Sequence, residues 1–480
     1  MSLKTIRILI YTDAASILSD SDDKDEGVSI MHRLMCEKLK KIVDVDVTIL
    51  NRHHPTHGAT KLTCDLLKLF DELWVIGLGN SPNCRQLPAL ELTDDEVYDL
   101  SAWMYRGGVM VTGDHSQPQL PKVSCDDLDH NDLLARGFAL GHRIPRAGQL
   151  RVWKGPPTNC DSPLERSDTH YTLGKSDAGN GAPPSESDGV PQKLEEMQPP
   201  HFLFFYGLDA GGQPVRIGNF PDHDHEGRVI VPETYDKFWP PRPPVPQVVA
   251  KGRDLRFPDE QRIYELVMAY DGDEAGVGRI VADSSFHHFL NLNLRAIPAV
   301  DAACKPVPGT PRDQIAQFYA NLALWLAPLK LRESIREELF FRASTHIIVL
   351  EALGNSAAHV GRAVKAALAS EVGDANVLRI LEAVGDDERP PAQLLKQSLV
   401  ETGPLEKFGG VDAESTLGAT ALSYHEFIWD NGLDPLNLPE DPTPPGFLDK
   451  EIESAFSAQL SSAGRLRAKP TDDSEPRGDN

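Results

Sequence analysis

No apolar run in this sequence reaches the length of a bilayer-spanning helix, which takes about 20 predominantly apolar residues. There is no stripe of clustered Lys and Arg either. The 48 basic residues face 72 acidic ones, for a formal net charge of -24. Nucleic acid backbones and anionic membrane surfaces both demand clustered cations, so neither is an expected partner. The six cysteines (Cys36, Cys64, Cys84, Cys125, Cys160 and Cys304) form no Cys-x-x-Cys pair. Scattered thiols in a chain this large predict a reducing compartment without a disulfide framework, and a cytoplasmic location. Two nucleotide signatures are missing, the Gly-x-Gly-x-x-Gly turn after the first strand and the Walker-type loop. Ser116 lacks the Gly-x-Ser-x-Gly frame of a nucleophile elbow.

What is present describes an ordinary folded protein, 40% hydrophobic and 25% charged over 480 residues, enough for two or three domains. The opening apolar stretch is short and turns acidic, which predicts a first β-strand and not a signal peptide. Strands are expected at 6–12, 45–50, 72–77 and 109–112, with helices over 28–41, near 60–70 and from Thr93. In that last helix Thr93 is the expected N-cap and Glu96 its capping-box partner, with Val97, Leu100, Trp103 and Met104 at helical spacing. Strands alternating with helices on short connections predict an α/β fold with a mostly parallel sheet covered on both faces.

From 117 to about 200 the regular pattern breaks, with 155–200 rich in Gly, Pro, Ser and Asp, and the stretch is read as a long structureless insertion. Strands resume at 202–206, 215–219, 264–270 and 278–283, and a helix over 312–326 closes a domain of residues 1–328. Residues 329–460 read as a helical C-terminal region, and 461–480 as a disordered tail.

Three histidine-bearing segments stand where strands run out: Gly113-Asp114-His115, Asp222-His223-Asp224-His225-Glu226, and Asp283-Ser284-Ser285-Phe286-His287-His288. In open α/β sheets such ends converge on one crevice. His115 is placed to act as base or metal ligand, or simply to hydrogen-bond within a tight turn. Alternation puts His223 and His225 on one face, half of a Zn or Fe site with carboxylates behind it; a polar turn would make the same pattern. One of His287 and His288 is expected to face the crevice, as general base or ligand. The expected set is therefore Asp114, His115 and His287 for catalysis, and His115, His223, His225 and His288 around one divalent metal. His53, His54 and His57 read as a solvated turn. His142, His170 and His201 border the insertion and could reach inward. His346, His359 and His425 read as surface or capping residues.

Leu92-Thr93-Asp94-Asp95-Glu96-Val97, Trp103 and Gly107-Gly108-Val109-Met110-Val111-Thr112-Gly113-Asp114-His115 resemble the helix–Gly-Gly–strand–His segment of trehalose-utilisation (ThuA-like) proteins. That group belongs to the class I glutamine amidotransferase-like, flavodoxin-like superfamily. Residues 278–287 look like its late strand ending in histidine, and Phe318-Tyr319-Ala320-Asn321 through Trp325 like its closing helix. The resemblance covers roughly residues 5–328 and implies a three-layer flavodoxin-like sandwich and an association with sugar metabolism. It puts His115 where amidotransferases carry their nucleophilic Cys, and His287 near their catalytic His. Without that thiol, glutamine hydrolysis is not expected, unless Cys125 reaches the turn. The expected function is a hydrolase or lyase acting on a small polar substrate, carbohydrate among the candidates. The alternative is a ligand-sensing or scaffold protein that binds a protein partner through its helical region.

Overall fold

The computed structural model describes residues 3–12, 17, 27–52, 60–77, 92–112, 143–152, 192–195, 201–208, 214–221, 228–229, 231–253, 263–295, 297, 308–353, 355–372, 413–433 and parts of 447–458. The chain divides into two compact units. One comprises Leu3–Tyr206 and Arg216–Arg332, and the other is built mainly from Glu333–Asn480.

The first unit is α/β. Its strands are β1 (Thr5–Thr12), β2 (Asp44–Asn51), β3 (Glu72–Ile76), β4 (Gly108–Val111), β5 (Gln247–Arg253), β6 (Ile263–Tyr270) and β7 (Ile280–Asp283). They form one seven-stranded sheet in the order β5-β6-β7-β4-β3-β1-β2. From β2 through β1, β3 and β4 to β7 every neighbouring pair is parallel. The other two, β5 and β6, extend the sheet antiparallel beyond β7. Both β3 and β4 are buried at every residue, as strands covered on two faces must be.

Side-chain alternation assigns the faces. Leu9, Tyr11, Leu73, Val75, Val109, Val111, Ile280 and Ala282 share one buried cluster with Val97, Leu100, Trp103 and Met104 of α3 (Asp94–Trp103). Ile8, Ile10, Trp74, Met110 and Val281 point the other way and are equally buried. That side holds α1 (Ser29–Leu39), α4 (Asn291–Arg295) and α5 (Pro311–Leu326), and Trp74 meets Phe289 edge-on at 6.3 Å. A short helix α2 (Cys64–Leu67) precedes β3. The predicted capping box of α3 is present in both directions, Thr93 Oγ1 accepting from Glu96 N and Glu96 Oε2 from Thr93 N.

Several expectations need correction. Residues 143–152, read as part of a structureless insertion, form a short 3-10 turn and strand that bury Ile144, Ala147 and Leu150 in the α3-side cluster. Phe202–Phe204 is a 3-10 turn and not strand. His201 caps it by accepting from Leu203 N, and Asn321 Nδ2 gathers the carbonyls of Phe202, Leu203 and Phe205. Strand β5 was not anticipated, because its apolar core is only Val248, Val249 and Ala250 before Lys251 and Gly252.

The amino ends of β4 and β7 are drawn together at glycines. A Cβ on Gly278 would lie 2.1 Å from the Gly107 carbonyl oxygen, so only hydrogen fits there.

The second unit is helical where described: α6 (Leu329–Ser344), whose first turn up to Arg332 belongs to the first unit, α7 (Ile347–Ala352), α8 (Ala357–Val372) and α9 (Ala413–Asp430). Its α8 and α9 pack against each other, closely enough that a Cβ on Gly418 would lie 1.7 Å from the Ala357 carbonyl. His346 caps α7, as expected of a capping residue. His425 differs: it is buried, with Nε2 2.9 Å from the Ser344 carbonyl, and burial lowers its pKa. Among the described residues no helix is long and apolar enough to cross a membrane.

Glu72 is fully buried in the sheet, where Oε2 accepts from Trp74 Nε1 at 2.8 Å. Burial first, then the neighbouring Asp71 charge, raises its pKa well above the ordinary value. A carboxyl raised on folding contributes stability that is complete below its unfolded pKa of about 4.3 and is lost as pH rises through the folded value. Glu72→Gln should remove that slope and leave a protein more stable than wild type at pH 8, read by urea denaturation across pH 5 to 8.

Candidate functional site

The described part of the candidate site is built where β7 ends. Ala282 pairs with Val111 of β4, so Asp283 emerges beside Thr112, the residue from which the chain leaves β4. Asp283 Oδ1 accepts from Ser285 N at 2.9 Å, and Ser285 Oγ accepts from His287 N at 3.0 Å. These two side-chain turns stop the strand and start a 3-10 turn over His287–Phe289, as Asp and Ser do when they hydrogen-bond the backbone two residues on.

The turn is pinned from both sides. Asn291 Oδ1 accepts from Ile30 N at 2.9 Å and Asn291 Nδ2 donates to Ser29 Oγ at 3.0 Å. It thereby supplies the cap that Val28 does not give the first turn of α1. From α5, the Tyr319 hydroxyl donates to the His288 carbonyl. Burial, and after it the charge of Asp283, raises the Tyr319 pKa well above the usual phenol value, so it stays a donor.

The two imidazoles are held differently. His288 Nδ1 lies 2.6 Å from Asp283 Oδ1, and its ring packs on Phe220 at 4.4 Å. His287 stacks on Phe286 at 4.3 Å and sets Nδ1 3.1 Å from the amide oxygen of Asn293. Both acceptors select the tautomer with the proton on Nδ1, which makes Nε2 the basic nitrogen of each ring. Both rings are buried, at 3% and 0% exposure for His287 and His288. Asp283 Oδ2 and Ser284 Oγ are also buried and have no hydrogen-bond partner among the described residues.

Asp114, His115, His223 and His225 lie outside the described residues, as do His53, His54, His57, His142 and His170. Of the expected metal ligands only His288 lies among the described residues. Among the described residues no group of three or more His, Cys, Asp or Glu side chains could hold a metal ion. An imidazole with Nδ1 bound to a carboxylate is nonetheless the arrangement that metal-ligating histidines use. It is also the arrangement by which a triad orients its base. Asp283 and Asn293 were not singled out from sequence, although Asp283 opens the quoted motif.

A second polar cluster sits at the carboxyl ends of β1 and β2. Arg52, just past β2, binds Glu96 of α3 through Nη1–Oε1 at 2.6 Å and Nη2–Oε2 at 3.0 Å. Leu62 N donates to Glu96 Oε1, and Arg52 Nη1 donates to the Tyr11 hydroxyl, which itself donates to the Thr60 carbonyl. Burial pushes the Tyr11 phenol up to about 12. Burial would raise Glu96 too, but the Arg52 bonds and the amides of Thr93 and Leu62 hold it at about 2. The sequence showed Glu96 only as a capping residue; its partner 44 positions earlier carries no local signal.

No protein-family model matches the chain, and no curated protein matches it.

Glu96→Gln should cost roughly 3 kcal/mol at pH 7 by leaving Arg52 buried without its carboxylate. A carboxylate depressed on folding contributes stability above its unfolded pKa of about 4.3 that is lost as pH falls through the folded value. The gap between wild type and variant in urea denaturation should therefore narrow from pH 5 to pH 3.

Proposed function

We propose that the chain is a hydrolase or lyase of the class I glutamine amidotransferase-like, ThuA-like kind, acting on a small polar substrate and lacking glutaminase activity. The observation that carries this reading is the contact of His288 Nδ1 with Asp283 at the carboxyl end of the last parallel strand. Two arguments support it. The order β2-β1-β3-β4-β7 of the parallel strands is the 2-1-3-4-5 order of flavodoxin-like sheets, which bind ligands beyond their carboxyl strand ends. The resemblance places a catalytic histidine at the end of this same strand.

In this reading His288 and not His287 is the central base. Asp283 fixes its tautomer and steadies the imidazolium that forms when Nε2 takes a proton from water or a substrate hydroxyl. His287, oriented by Asn293, assists. Asp114 and His115, which follow Thr112 in sequence, are the proposed acid-side partners. If one Zn or Fe is bound, His288 with His115, His223 and His225 would hold it. Such an ion would supply a bound water acidic enough to ionise near neutral pH. We place the protein in the cytoplasm, with the helical unit free to engage a protein partner.

A second reading is favoured by one observation, the near-complete burial of both imidazoles. Here Asp283–His288 is a structural tie, and the fold senses a ligand without turning it over.

The full-length protein is to be assayed against phosphoesters, carboxylic esters, glycosides and sugar acids, with metal content measured in parallel. Asp283→Asn and His288→Gln should each lower turnover by roughly 10²–10⁴-fold while the protein stays folded by circular dichroism. Variants that keep full activity would remove His288 from the chemistry, and absence of turnover throughout would favour the sensor. A protein without stoichiometric Zn or Fe, or one whose metal content survives both His115→Ala and His288→Gln, rules out the metal version.

A further inference from the structure

At the opposite end of the sheet the amino ends of β1, β3, β4 and β7 open onto a groove of about 670 Å³. That volume lies within the roughly 300–1,000 Å³ typical of small-molecule sites. Aromatic side chains form part of its wall: Phe70, Trp103 and Tyr105, the last with 64% of its surface exposed.

The charge of the lining is opposite to that of the protein. Lys4, Arg7, Lys68, Arg106 and Lys330 line the groove against only Asp71 and Asp273, in a chain whose net charge is -24. Both carboxylates are already engaged. Asp71 takes Arg7 Nε at 2.9 Å and Nη2 at 2.8 Å. Asp273 takes Arg279 Nε at 2.9 Å and also pairs with Arg332. Arg7 is fixed by that clamp, yet 46% of its side chain is exposed. Arg106 and Lys330 are exposed and make no ion pair among the described residues. A cationic excess kept at one concave, ring-lined spot on an acidic protein concentrates anions there. Guanidinium forks suit phosphate, and exposed ring faces suit a flat ring.

We propose that this groove binds a small phosphorylated compound carrying a flat ring, of about mononucleotide size. The phosphate would lie among Arg7, Arg106 and Lys330, and the ring against Tyr105 and Phe70. The missing glycine-rich nucleotide loops do not count against this, because those loops act at carboxyl strand ends. The site is independent of Asp283 and His288.

The test is calorimetric titration of the full-length protein with adenosine monophosphate, adenosine, inorganic phosphate and a poly-glutamate peptide. Adenosine monophosphate should bind, with adenosine and phosphate each at least about tenfold weaker, the worth of one charge-assisted contact. Arg106→Glu, Lys330→Glu and Tyr105→Ala replace exposed side chains and should keep the melting temperature while weakening that binding about tenfold or more. Should Arg106→Glu fail to fold, Lys330→Gln carries the same expectation. No binding of adenosine monophosphate at millimolar concentration overturns the proposal, as does binding that ignores these substitutions. Tighter binding of poly-glutamate with the same sensitivity overturns it in favour of an acidic protein segment.

Discussion

The central strands β3 and β4, with β7 beside them, have no face left for water, and the rest of the first unit follows from that constraint. A parallel strand buried on both sides satisfies its backbone only through its neighbours, and its side chains must be apolar along its length. Leu73, Trp74, Val75, Val109, Met110, Val111, Val281 and Ala282 meet that demand. Polar side chains are consequently displaced to the strand ends, where loops and helix termini provide partners. Glu72, at the amino end of β3, is fully buried, and Trp74 supplies its hydrogen bond.

The two ends solve the polar problem in opposite ways. At the carboxyl end the groups are buried and tightly mated: Asp283 with Ser285 and His288, Asn293 with His287, and Arg52 with Glu96 and Tyr11. Low exposure strengthens each of these contacts and makes each costly to leave half-made. At the amino end the carboxylates are neutralised by arginines and further cations stand in water above an aromatic wall. The first arrangement suits proton transfer at a fixed nitrogen, and the second suits electrostatic capture of an anion.

Much of the fold was readable because the signals were local. Thr93 and Glu96 lie three residues apart, and the helix they cap buries the face its spacing predicts. Strands β1, β3, β4 and β7 are apolar runs bounded by turn residues, and α5 repeats its apolar face from Ile315 to Leu326. The misreadings share a cause. Ile144, Ala147 and Leu150 are sparse in a polar stretch, yet the sheet needs them to complete one face. Phe202–Phe204 has a strand's composition, but Asn321, more than a hundred positions on, draws its carbonyls into a turn. His425 sits among polar residues in sequence, and only its position beside Ser344 buries it.

The sequence by itself determined that this is an α/β chain, where most strands of the sheet lie, and that a histidine pair follows the strand ending at Asp283, because periodicity and turn chemistry act over a few residues. Which histidine receives a carboxylate was decided only in three dimensions. His287 and His288 are neighbours of equal chemical standing, and the turn after β7 gives one Asn293 and the other Asp283. The cationic groove is likewise invisible along the chain. Lys4, Arg7, Arg106 and Lys330 are scattered over more than three hundred positions and meet only because parallel strands bring their amino ends to one edge.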